Sequence, residues 1–208
     1  MITTVKEAKE ATGGLSKTSK MPCLSYSIPA ETCITGAKLV NVENSICKDC
    51  YAMKGNYIRF AKVIKPKQYE RYGKLFDKQW VEGMVHLINK QCNNGFFRWH
   101  DSGDVQSLQH IKRIAKVCEK TPDIMHWLPT REYSIIKEYL KNNKLPSNLT
   151  IRLSAHMIEG KAPSICNLPT STVSSKDYNC PSYKQEGKCL DCRKCWDPKI
   201  KNIAYKLH

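Results

Sequence analysis

The chain has no apolar run approaching the roughly eighteen residues that a membrane span needs. Its opening residues, MITTVKEAKE, lack the apolar core of a secretion signal. Neither a membrane partner nor export is therefore expected, and the expected compartment is the cytoplasm, with thiols reduced. Acidic residues are scarce, with 19 Asp and Glu against 34 Lys and Arg, for a formal charge of +15. A basic surface gains affinity for phosphates by releasing counterions, which makes nucleic acid a candidate partner. Yet the lysines, at 62, 65, 67, 74 and 78 and again at 137, 141 and 144, form no recognisable reading motif. A solvated basic face is the plain alternative. With 208 residues, 41% of them hydrophobic, one good core can be buried.

Cysteine is the residue the chain does not lack: there are eleven. Cys189, Cys192 and Cys195 stand in the order Cys-x2-Cys-x2-Cys, with Cys180 eight intervening residues upstream. Two-residue gaps let a short loop turn successive thiolates toward one centre, and three in series suit a cubane cluster in which each iron takes one sulfur. A tetrahedral zinc more often takes two separated pairs, so a 4Fe-4S cluster is the first expectation and zinc the alternative. Seven ligand thiolates on two 4Fe-4S clusters, one with four cysteinates and one with three, would reduce the net charge to roughly +12.

A second set lies upstream. Cys47 and Cys50 form one Cys-x2-Cys, and Cys33 precedes them by thirteen intervening residues. Three thiolates that converge leave a fourth coordination position open, which a catalytic metal needs. A fourth ligand from Cys23, Cys166 or a histidine would instead close the site, and a redox pair is a further alternative. Cys92 and Cys118 fall within regular elements and read as small core residues.

Between the two sets the pattern is α/β. A short alternating stretch at 24–28 reads as a strand. From Pro66, the positions Tyr69, Tyr72, Phe76, Trp80, Met84, Leu87 and Ile88 recur at three- and four-residue steps, which predicts one helix whose aromatic row is core. Phe96–Trp99, Ile124–Leu128 and Leu149–Leu153 read as strands about 27 residues apart, separated by helices near 108–118 and 132–143. That spacing implies βαβ units and a parallel sheet, either a partial (β/α) barrel or an open sheet. Residues 1–165 would form this α/β domain with its cysteine loop, and 166–208 a cysteine-rich, metal-binding appendage.

Each strand runs into polar residues. His100-Asp101-Ser102-Gly103-Asp104 follows the first, Thr130-Arg131-Glu132 the second and Ser154-Ala155-His156 the third. Ligands of parallel sheets bind at the carboxyl ends of the strands, so Asp101, Ser102, Gly103, Asp104, Arg131 and His156 are candidates to line one small-molecule pocket. Arg131 suits a carboxylate and the aspartates an amine. Helix capping is the alternative role for Ser102, Asp104 and Thr130.

The stretches SYSIPAETCITG, CKDCYAMKG, RWHDSGD, HWLPTRE, RLSAH and CLDCRKCW together resemble the phage gene product 88 family over nearly the whole chain. That resemblance implies a phage origin and a host-cell cytoplasmic setting, and it transfers no activity. A more distant likeness is to radical S-adenosylmethionine enzymes. These hold a three-cysteine 4Fe-4S cluster after the first strand of a partial barrel, and contact the methionine amino group with a glycine-rich, acid-ended motif after the second. Ser102-Gly103-Asp104 stands where that motif would be, which adds S-adenosylmethionine to the candidate cofactors. The cysteine spacing departs from that family's, in which three residues and then two separate the thiols.

Overall fold

In the computed structural model, which describes residues 1–207, the chain forms one seven-stranded sheet whose spatial order follows the sequence. The elements are α1 (Val5–Thr12), β1 (Ser16–Lys17), β2 (Leu24–Tyr26), α2 (Ile34–Leu39), α3 (Gly55–Arg59), α4 (Ala61–Lys74), α5 (Trp80–Gln91) and β3 (Phe96–Trp99). They continue with α6 (Leu108–Glu119), β4 (Met125–Thr130), α7 (Tyr133–Asn142), β5 (Leu149–Ser154), β6 (Thr170–Ser174) and β7 (Asn202–Lys206). β1 is antiparallel to β2, and from β2 to β7 every neighbouring pair is parallel. Of the two expected forms, the open sheet is the one present, and no strand pairing closes it into a barrel.

The side-chain alternation of the strands builds two faces. Phe97 and Trp99 of β3, Leu128 of β4, and Leu149, Ile151 and Leu153 of β5 join Met84, Ile88, Ile111 and Ile114 of the helices in the main core. α6 can occupy this layer because its apolar residues recur at helical spacing and the Ser107 hydroxyl caps it, accepting from His110 N at 3.1 Å. On the opposite face Phe96, Met125 and Trp127 pack against Trp196, Cys180, Cys195 and Ile203. Residues 166–208 thus supply two strands of the common sheet, and their cysteine-rich stretch covers the face that the helices leave free.

The long helix expected from Pro66 is two helices. Pro66 lies inside α4, and the chain breaks between Lys74 and Trp80, where Asp77 Oδ1 accepts from Gln79 N at 2.8 Å. The inward residues of α4 are Gln68 and Arg71. Arg71 donates to the Gly13, Gly14 and Leu15 carbonyls and to the Ser16 and Ser27 hydroxyls. Because this helix packs on polar backbone, its tyrosines face outward, Tyr69 50% and Tyr72 38% exposed, and Phe76 in the turn after it is 46% exposed. β1, β6 and β7 were not expected from the sequence; β6 reads Thr-Ser-Thr-Val-Ser and carries no apolar alternation.

Candidate functional site

The N-terminal cysteine loop folds over the carboxyl edge of the sheet. After β2 a 3-10 turn (Ala30–Thr32) delivers Cys33 to the start of α2, and Cys47 and Cys50 follow in a run of turns. Three contacts fix this loop to the end of β5: Ile46 N donates to His156 O at 2.9 Å, Ile158 N to Asn44 O at 2.8 Å, and Ser45 bridges Met157. A fourth comes from the turn after β4. Glu132, 2% exposed, accepts from Thr35 N at 2.8 Å and from Thr35 Oγ1 at 2.7 Å, fixing the residue two places after Cys33.

The thiols of Cys33 and Cys47 converge on Gly36. A Cβ built there would lie 2.8 Å from Cys33 Cβ, 3.7 Å from one sulfur and 3.8 Å from the other, so glycine is what lets α2 pass this close to both thiols. Cys33 is within electrostatic reach of Cys50, Cys47, Asp104 and Glu132, and burial pushes its pKa well up. Burial also raises Cys47, against the pull of the Arg131 guanidinium. Free thiols held this way stay protonated, and a positive centre is what would draw them to thiolates.

Asp104 lies close to both thiols and Arg131 close to that of Cys47. Asp104 Oδ2 accepts from Arg131 N at 2.8 Å and its Oδ1 from Val105 N at 2.7 Å. Burial raises Asp104 to about 6, while hydrogen bonds from Thr130 and Arg131 N pull the other way. Arg131 Nε donates to Ala155 O at 3.1 Å. His156 stacks on Tyr133 at 4.5 Å between ring centroids, and its Nε2 is buried without a partner. Asp104, Arg131 and His156 therefore gather beside Cys33 and Cys47.

Asp101 stands apart from them in a tyrosine cluster next to Cys50. Its Oδ2 accepts from Tyr57 Oη at 2.9 Å, its carbonyl accepts from Tyr51 Oη, and its buried Oδ1 has no partner. Ser102 offers its carbonyl to Ile28 N at 3.1 Å and leaves its hydroxyl unpartnered. Gly103 has a packing role: at φ +80° a Cβ would sit 2.2 Å from Ile28 Cγ1 and 2.9 Å from Ile28 O.

The second cysteine set lies on the opposite face from the helices. Cys192 N donates to Cys189 O at 2.9 Å, the turn a Cys-x2-Cys makes, and Cys189 N donates to Lys20 O at 3.0 Å. Cys180 and Cys195 are buried in one apolar cluster with Cys23. Cys23, a candidate fourth ligand for the first set, thus belongs beside the second, and Cys166 is exposed. Cys195 is pushed up to about 12 by burial, and its sulfur lies 3.4 Å from Tyr205 Oη.

Sequence reasoning missed Arg152. This residue is fully buried, and it donates to the Cys195, Thr170, Ile200, Lys194 and Asp197 carbonyls at 2.8–3.2 Å. An arginine inside an otherwise apolar strand was the available signal, since a buried guanidinium must find acceptors.

Among the described residues no group of three or more His, Cys, Asp or Glu side chains is arranged to hold a metal ion, so the convergence of three thiolates on one ion is not formed. No helix among them is long and apolar enough to cross a membrane.

The family model for gene product 88 matches residues 1–198. The chain belongs to the gene product 88 family. This agrees with the phage resemblance carried by the cysteine and strand-end motifs. No curated protein and no solved structure matches the chain, and the likeness to radical S-adenosylmethionine enzymes finds no support there.

Proposed function

We propose that this gene product 88 protein binds 4Fe-4S clusters. One is held by Cys33, Cys47 and Cys50 and a second by Cys180, Cys189, Cys192 and Cys195. The observation that carries the reading is the approach of the Cys33 and Cys47 thiols to one side-chain-free position, Gly36, in a loop fixed across the carboxyl edge of a parallel sheet. A tetrahedral zinc with bonds of about 2.3 Å needs its sulfurs roughly 4 Å apart. A cubane, with each thiolate on a different iron, spaces its ligands more widely and so asks for a looser set of sulfurs than a single ion does.

A three-cysteine cluster keeps one iron open to a small ligand. Asp104, Arg131 and His156 border that side, and Arg131 is suited to a carboxylate. S-adenosylmethionine offers the required carboxylate and amine, and the placement favours it in two ways: the cysteine loop follows the first parallel strand, and Ser102-Gly103-Asp104 follows the second. When bound, such a cluster would supply electrons, while the chain orients the ligand and excludes water.

Anaerobic purification with iron and sulfide analysis tests this. The expected sample is brown, absorbs near ~400 nm and holds about eight irons per chain. Cys33→Ala, Cys47→Ala and Cys50→Ala would each remove about half, and S-adenosylmethionine would alter the electron paramagnetic resonance signal of the first cluster only. A colourless protein with stoichiometric zinc would sink the proposal.

A further inference from the structure

The aromatic row of α4 is a surface, and neither the cysteine sites nor the core uses it. Tyr69 and Tyr72 stand three residues apart on α4, so their rings share one side of the helix; Phe76 follows in the turn just beyond its end, and Lys62 and Lys65, the latter paired with Glu31, extend the line of the two tyrosines. All three rings are more than a third exposed. Arg113 reaches the line from α6, with its guanidinium 5.9 Å from the Phe76 ring centre. Residues 51–80, to which this row belongs, carry eight Lys and Arg against two acids, Glu70 and Asp77. Of the eight only Arg71 turns fully inward, so the charge is displayed with the rings.

We infer that the surface formed by Tyr69 and Tyr72 of α4 and by Phe76 just beyond its end binds single-stranded nucleic acid, the three rings serving as stacking platforms and Lys62, Lys65 and Arg113 meeting the backbone phosphates. Three considerations favour this occupant. Flat rings repeated along a basic line match alternating bases and phosphates, and every base has a face to stack. An acidic amphipathic helix would seek an aliphatic groove, and this row holds no aliphatic side chain. Duplex DNA hides its base faces, so the rings would add nothing to its binding. The inference stands independently of the cluster proposal, because α4 carries none of the cysteines.

Fluorescence anisotropy with a labelled oligo-dT, an oligo-U and a duplex of equal length tests the inference on the full chain. Expected is binding of both single strands, at least tenfold tighter than the duplex and weakening steeply with salt. Tyr69→Ala with Tyr72→Ala should weaken single-strand binding at least tenfold, whereas Tyr69→Phe with Tyr72→Phe, which keeps the rings, should stay within about twofold. Lys62→Gln with Lys65→Gln should flatten the salt dependence. Circular dichroism and thermal melting would confirm that the variants fold. Absence of binding at low salt, equal affinity for the duplex, or an alanine variant that binds like the parent would each overturn it. The last outcome would identify attraction by charge alone.

Discussion

The guanidinium of Arg152 donates through Nε to the carbonyl of Cys195 at 3.1 Å, so a strand in the middle of the sheet holds the turn that carries the C-terminal cysteines. The same side chain gathers four further carbonyls on both sides of that turn, and the Thr150 hydroxyl adds a bond to Trp196 O at 2.7 Å. The geometry of the second cysteine set therefore depends on β5 as much as on its own loop.

Arg152→Met should expose this dependence. Five carbonyls would lose a charged donor and remain buried, a cost of about 3–5 kcal/mol in urea unfolding at neutral pH. Iron bound by the second set should fall, while iron bound by Cys33, Cys47 and Cys50 should persist. Equal loss from both sets would mean that Arg152 supports the whole sheet and not that turn.

Gly36→Ala separates site from stability. Replacing a helical glycine ordinarily gains up to about 1 kcal/mol. Here the new methyl would sit 2.8 Å from Cys33 Cβ and enter the space between two sulfurs, and such overpacking costs about 1–3 kcal/mol. The two effects nearly offset, so the melting temperature should move by only a few degrees while about half of the bound iron is lost. Unchanged iron would show that the first cluster does not sit against Gly36.

Asp104 gives a pH signature of defined sign. Its folded pKa, about 6, lies above the ordinary aspartate value, so the folded state binds the extra proton. Its contribution is full below about pH 4 and is lost as the pH rises through 6, roughly 2–3 kcal/mol in all. Buried His110 and His126 act in the opposite direction, since burial lowers both to about 3 and their folded forms resist protonation as the pH falls below about 6.5. The comparison to make is therefore wild type against Asp104→Asn between pH 4 and 7. The variant should lack the fall in stability on the rise through pH 6, and identical slopes would refute the assignment.

Cys118→Ala should leave iron content unchanged. Cys118 is fully buried in the main core, on α6 and away from both cysteine sets, so the cost is that of a small cavity, about 1 kcal/mol. Loss of all iron in this variant would overturn the division between ligands and core cysteines.

The helical likeness of residues 66–88 shows where a one-dimensional pattern ends. Tyr69, Tyr72 and Phe76 have the same spacing as Trp80, Met84 and Leu87, yet only the second group is buried. The difference arises from Arg71, whose five contacts to the N-terminal segment turn the other side of α4 inward. Partners 44 to 58 residues away leave no trace in local periodicity.

What the sequence by itself determined is the part governed by local rules. The three central strands, the helices between them and the parallel order follow from period-2 and period-3.6 patterns and from crossover length, and the polar strand ends marked the edge where Asp104, Arg131 and His156 gather. Only the tertiary structure decided the rest. It placed Asp101 among Tyr51, Tyr57 and Arg98, set Cys23 beside Cys180 and Cys195, and drew the polar strand β6 and the short strand β7 into the sheet. The physical reason is the same in each case. Hydrogen bonds and burial between residues distant in sequence chose among arrangements that local preference left nearly equal in energy.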